Sequence, residues 1–212
     1  MNKKLLITLP IATMMVAIGH AQIVTVEFDD HTGTNGNSTF LVNYNGSFKT
    51  VTATPFNVAV EGTPFVAYCV ELDQGSAPPN TDYSAFRQSI RTFLPMPTGD
   101  RLAYIYNHHH NAGLTLDQQI AVQVAIWEAR YDSTFNLDAG IFRTESLNST
   151  IKSAAQAILT NAAAATIGPF DQGMYYQSQT FQDLMGPVPE PASLVALGLG
   201  AAALLRRRKN RK

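Results

Sequence analysis

The sequence predicts an α+β fold: a β-barrel or sandwich subdomain with an α-helical subdomain packed on it. Between residues 22 and 72, short runs rich in β-branched and aromatic residues alternate with turn signals. Further on, the apolar spacing becomes helical in DRLAYIYNHH (100–109) and TLDQQIAVQVAIWEARYD (115–132). A last stretch, MYYQSQTFQDLM (174–185), is again strand-like and is expected to return beside the first half. Strands first and helices later are the order of an α+β domain.

The strand runs are IVTVEF, TFLVNY, FKTVTAT, FNVAV and FVAYCVEL. They are separated by DDHTGTNGNS, by Asn45-Gly46, by Pro55 and by Glu61-Gly62-Thr63-Pro64, all turn-forming sequences. GSAPPNTD (75–82) reads as a loop. The helix after Thr115 opens with a capping box, Thr115 followed three residues later by Gln118. An alanine-rich helix is expected over roughly residues 145–165. The expected division is therefore β-rich over 22–74, helical over 84–166, and a return strand over 174–185, forming one domain over 22–186.

The two ends have a different character. MNKKLLITLPIATMMVAIGHAQ pairs a short basic start, Lys3 and Lys4, with an apolar run and ends in small residues at Gly19 and Ala21. That is the layout of a secretory signal peptide over residues 1–21, with the mature chain starting at Gln22. At the other end, residues 192–205 form an apolar run of 14 residues. As a helix it would span about 21 Å, short against a bilayer core of about 30 Å. Arg206, Arg207, Arg208 and Lys209 follow at once, and such a cluster stays on the cytoplasmic side. Export, a hydrophobic stop and a basic tail together describe a sorting signal over 187–212 that inserts transiently in the membrane until an enzyme trims it. The segment resembles the PEP-CTERM signal, with its motif at Val188, Pro189, Glu190 and Pro191. The resemblance implies an exosortase-type processing partner and a destination at the cell surface, outer membrane or extracellular matrix of a Gram-negative-type bacterium.

Without its ends the chain is acidic. Residues 22–189 hold 7 basic and 15 acidic residues, a net charge of −8. Nucleic acid and anionic membrane surfaces are poor partners for such a surface. Cys69 is the single cysteine, so no disulfide can form within the chain. A lone Cys in an exported protein calls for an external partner, a reactive thiol or a partner other than sulfur.

A candidate for that last role lies on the helix after Thr115. At 100° per residue Leu116, Ile120, Gln123, Trp127 and Tyr131 fall on one stripe, which should face the core. A buried amide at Gln123 left unpaired costs about 1–3 kcal/mol, so it should find a partner. A core thiol and a core amide, one in each subdomain, are both accounted for if they meet. A cysteine sulfur attacking a glutamine carbonyl expels ammonia and leaves a thioester, an acyl group primed for an outside amine or hydroxyl.

AYCVELD and AVQVAIWEA resemble the two signature segments of bacterial surface thioester domains, the Cys-Gln adhesin modules. Gln123, Ala125, Ile126 and Trp127 match the helical segment, with Tyr68 and Cys69 in front; Val122 stands where the family has Thr. The resemblance implies a Cys69–Gln123 cross-link framed by Tyr68, Ala125, Ile126 and Trp127, and covalent attachment to amines or hydroxyls of extracellular polysaccharide or surface protein. It implies adhesion or biofilm-matrix anchoring rather than turnover, with no cofactor.

Two other readings stand beside it. One is a non-covalent matrix protein whose Cys69 is inert packing, since free Cys is among the most buried residue types. The other is a hydrolase pairing Cys69 with one of His108, His109 and His110. Three consecutive imidazoles cannot all point one way, so no metal site is expected there.

Overall fold

The computed structural model describes residues 21–111, 113–168 and 171–189. The signal peptide, the apolar segment 192–205 with its basic tail, and Glu190 and Pro191 of the sorting motif lie outside the described residues. No helix among the described residues is long and apolar enough to cross a membrane.

Strands β1 (Gln22–His31), β4 (Phe56–Val60), β5 (Thr63–Cys69) and β6 (Thr81–Ser89) join β8 (Met174–Gln177) and β9 (Leu184–Gly186) in a closed barrel of order β1-β4-β5-β9-β8-β6. A second sheet, in the order β3-β2-β7, comprises β2 (Thr39–Tyr44), β3 (Ser47–Thr52) and β7 (Phe142–Thr144). The helices are α1 (Ile90–Phe93), α2 (Thr98–His109), α3 (Leu116–Tyr131) and α4 (Ser149–Ala164). The α+β class and the barrel with packed helices are as the residue patterns predict.

Alternation builds the barrel. Val24, Val26 and Phe28 of β1 and Phe56, Val58 and Val60 of β4 point inward and are buried. Each such side chain contributes about 1.5–3 kcal/mol by leaving water. Two hairpin turns set the register. Asn45 and Gly46 have φ of 52° and 80° between the paired Tyr44 and Ser47. Glu61 and Gly62 have φ of 54° and 73° between the paired Val60 and Thr63. Two consecutive positive φ values are the mark of the type I′ hairpin, which is why an Xaa-Gly pair occupies both corners.

The structure departs from the expected boundaries in four places. Residues 81–89 are strand β6, so the loop ends at Asn80 and the helices begin at Ile90, not at residue 84. TDYSAFRQS is polar, with only Ala85 fully buried, and it is strand because β1 and β8 both pair with it to close the barrel. The strand carrying Cys69 stops there rather than at Leu72, because the chain turns and the Glu71 carbonyl folds back toward the sulfur. The third expected helix starts at Ser149, capped by the Asn148 side chain, which accepts from Thr150 N at 2.9 Å; ahead of it Glu145 N donates to Leu41 O, continuing the pairing of β7 with β2. The return strand is two short strands, β8 and β9, split at Ser178, whose backbone N–H donates to Asp183 Oδ1 at 2.8 Å.

Helix α3 is the centre of the molecule. The capping box at Thr115 and Gln118 is formed. Every residue from 120 to 129 is buried, because α3 packs on β5 of the barrel, on β7 of the second sheet, and on α2 and α4. The apolar stripe is thus one side of a helix enclosed all round, which is how a glutamine comes to lie at 0% exposure.

Candidate functional site

Cys69 is the last residue of β5, opposite Leu184 of β9, and is 1% exposed. Gln123 sits mid-way along α3. Its side chain closes on the Cys69 backbone from both ends: Cys69 N donates to Gln123 Oε1 at 3.0 Å, and Gln123 Nε2 donates to Cys69 O at 2.7 Å. This two-point clasp satisfies the buried amide and brings its carbonyl carbon beside the residue that bears the sulfur.

The sulfur is held too. The Cys69 thiol donates to the Glu71 carbonyl at 2.7 Å, and the same carbonyl accepts from Gln182 Nε2 at 3.4 Å. Burial pushes the Cys69 thiol far above its ordinary range, and the negative charge of Glu71 adds to this. The Trp127 indole N–H lacks a well-formed hydrogen-bond partner among the described residues, yet lies close enough to the sulfur to favour its thiolate. Trp127 packs on Phe142, ring centres 6.1 Å apart, which fixes its position.

The turn after Cys69 is pinned by side chains. Leu72 N donates to Tyr131 Oη at 2.8 Å, and the Glu71 carboxylate accepts from the backbone N–H groups of Asp73 and of Gln74 (3.0 Å to the latter). Tyr131 lay on the predicted stripe; Glu71 and Gln182 carried no signal, because their contribution depends on a turn and a strand distant in sequence.

Of the residues expected around the cross-link, Trp127 is at the sulfur. Tyr68 is fully buried but points the other way along β5, its ring against Tyr106 and its hydroxyl 3.2 Å from His110 Nδ1. Ala125 is roughly 200° round α3 from Gln123, and Ile126 roughly 60° to one side; both are fully buried. Val122 lies on a different face, in a cleft shared with Leu114 and Ile158, and does not meet Cys69 through any hydrogen bond. The three histidines diverge: His108 Nε2 meets Asp171 Oδ1 at 2.7 Å, His109 lies against Tyr104, and His110 stacks on Tyr106. Among the described residues no imidazole is bonded to the Cys69 sulfur, and no group of three or more His, Cys, Asp or Glu side chains is placed to hold a metal.

The fold that holds this clasp has counterparts among solved structures. In fold, the chain is similar to a thioester domain. The thioester domain of the Staphylococcus aureus TIE protein aligns with a TM-score of 0.50 at 12% identity, covering 77% of this chain and 92% of that one. Two crystal forms of the pilus-presented adhesin Spy0125 (Cpa) align over 79% and 82% of this chain and 66% and 55% of theirs, with 13% identity and TM-scores of 0.48 and 0.49. No curated protein matches the sequence.

The PEP-CTERM protein-sorting motif matches residues 187–209. That motif marks an exported surface protein and implies processing by an exosortase. It begins directly after β9, and its first residues stay on the barrel: Pro187 and Pro189 line a small cleft with Phe65 and Tyr176, beside the Arg87–Glu61 ion pair of 2.9 Å.

Proposed function

We propose that this exported surface protein forms an internal thioester between Cys69 and Gln123 and uses it to attach covalently to an amine or hydroxyl outside the cell. The observation that carries the reading is the clasp of the Gln123 amide on both backbone groups of Cys69, at 3.0 and 2.7 Å, with both side chains buried. The Cys69 N–H polarises the Gln123 carbonyl and is positioned to receive charge as the oxygen becomes tetrahedral. The sulfur bonds to the amide carbon, the carbon–nitrogen bond breaks, and the thiol proton leaves with the nitrogen as ammonia. Burial keeps Cys69 protonated before the bond forms, so the proton that departs with the ammonia is already on the sulfur.

The stored acyl group has few internal competitors. Lys49 and Lys152 are the only lysines between residues 22 and 189, and both are engaged, Lys49 with Leu72 O at 3.0 Å and Lys152 with Asp138. The chemistry is one stoichiometric attachment, not turnover. A similar fold in a protein called a thioester domain supports the reading, as does a sorting motif that keeps the chain at the surface.

Intact mass tests it. The mature protein is expected to be lighter than its sequence by one ammonia, and methylamine should add its whole mass at Gln123, ending one methylene above the sequence mass, while releasing one titratable thiol. An unshifted mass, with a Cys69 thiol that titrates after unfolding without any amine, would leave Cys69 as core packing.

A further inference from the structure

A cavity of about 330 Å³ opens beside the clasp, its walls including His31, Lys49, Gln74, Trp127 and Gln182. Three contacts tie its walls to the clasp, whose own side chains, Cys69 and Gln123, are buried just behind them. Trp127 is one helical turn after Gln123. One turn before it, Gln119 accepts from Thr32 Oγ1 at 3.0 Å, which brings the end of β1, and His31 with it, onto the same side of α3. Gln182 shares the Glu71 carbonyl with the Cys69 thiol, so a single peptide group separates the cavity wall from the sulfur.

Resting on the thioester reading, we infer that this cavity admits the hydroxyl of a neutral saccharide, and that His31 acts as the base that makes the hydroxyl a nucleophile. Two features point to hydroxyl over amine. First, the lining holds no carboxylate; its cation is Lys49, and a protonated amine would enter against that charge without a counter-ion of its own, since Asp73 outside the lining is already 3.8 Å from Lys49. Hydroxyls, amides and aromatic faces (Thr50, Thr52, Gln74, Gln182, Trp127) instead match the polar edges and apolar faces of a sugar ring, and the volume is at the low end of small-molecule pockets, roughly 300–1,000 Å³. Second, an alcohol needs a base to attack an acyl carbon at neutral pH, whereas a free amine does not. His31 is held for that: its Nδ1 is 3.0 Å from the buried Thr54 hydroxyl and its ring packs on Phe56 with centres 4.9 Å apart, and in the tautomer whose Nδ1–H donates to Thr54 the Nε2 is the acceptor that the transfer requires.

In the transfer the hydroxyl oxygen bonds to the Gln123 acyl carbon and the carbon–sulfur bond breaks. The hydroxyl proton passes to His31 Nε2 and from there to the departing Cys69 thiolate, giving one ester and one thiol.

The test sets fluorescently tagged maltotetraose against tagged cadaverine at equal concentration with the processed surface protein at pH 7. Adducts are separated by hydroxylamine, which cleaves an ester and leaves an amide. The expected result is an excess of hydroxylamine-labile sugar adduct, and a fall of at least tenfold in the ester-to-amide ratio in His31→Gln, since a positioned base contributes roughly 10²–10⁴-fold. Lys49→Gln should move the ratio in the same direction by admitting the amine. A predominant amide in the unmodified protein, or an unchanged ratio in both variants, overturns the hydroxyl assignment while the ammonia mass deficit keeps the thioester reading. Absence of that deficit overturns both.

Discussion

Removing either end of the proposed cross-link should destabilise the domain, but unequally, and the inequality is set by the clasp. Cys69 and Gln123 are 54 residues apart in sequence. Closing a loop of that size contributes about 4 kcal/mol in the chain-entropy model of cross-links. Cys69→Ala loses the bond but keeps the backbone N–H and C=O of residue 69, so the intact Gln123 amide can make both hydrogen bonds at 3.0 and 2.7 Å. One of those, from Nε2, is absent in a thioester, and its return offsets about 1 kcal/mol. The net cost is about 3 kcal/mol. Gln123→Ala loses the bond and also leaves the buried Cys69 N–H without an acceptor, adding about 1–3 kcal/mol. At roughly 2–4 °C per kcal/mol for a domain of this size, Cys69→Ala should melt about 6–12 °C lower, and Gln123→Ala lower still. The double variant should match Gln123→Ala, because one bond can be lost only once. Chemical denaturation of the three variants, with intact mass taken on each sample, measures this cycle. Additive effects of the two single substitutions, or a Cys69→Ala cost below about 1 kcal/mol, would refute the covalent link.

The remaining predictions concern neighbouring features. Burial raises the Glu128 carboxyl to about 7, with the charge of Asp132 adding to it. Because the folded form holds its proton where the unfolded one at about 4.5 has lost it, stability should decline as pH rises from about 4.5 through about 7, by roughly 3 kcal/mol at about 1.4 kcal/mol per unit; Glu128→Gln should flatten that decline in urea titrations at pH 5 and pH 8. Tyr131→Phe strips Leu72 N of its acceptor at 2.8 Å and should cost about 1–3 kcal/mol in the same assay. Terminal peptides from cell-surface material should begin at Gln22 and lack residues 206–212; intact basic tails there would contradict exosortase processing.

The features legible in the sequence are those set by local chemistry. Both type I′ turns were announced by Asn45-Gly46 and Glu61-Gly62, and the start of α3 by Thr115 and Gln118, because turn and cap geometry depend on neighbours within four residues. Gln123 drew notice for a local reason as well, an amide inside an apolar stripe. What stayed hidden is what distant pairing decides. β6 has the composition of a loop and becomes strand because β1 and β8 need a partner between them. β7 is three residues held by β2 and by Trp127 behind it. The Tyr68 side chain was grouped with the cysteine by adjacency, although neighbours on a strand face opposite ways, and it serves the α2 side instead. His31 and Gln182 reach the cavity from opposite ends of the chain, and no spacing rule joins them.

The sorting segment leaves the domain straight from β9, whose Leu184 pairs with Cys69 and whose other edge pairs with β8. Tension applied between a surface tether there and a target joined at Gln123 must therefore cross from β9 to α3. While the proposed thioester is intact, the path would be short: β9 to β5 through hydrogen bonds, then sulfur to carbon into the helix, bypassing the chain between. Attachment through that bond would break the strut in the act of forming the new one. In the proposed reading the loaded domain can then extend through the chain from Gln123 to β9, so the unattached protein would be the stiff form and the attached one the compliant form. A population of such tethers would share strain among many attached copies instead of concentrating it on the first to engage.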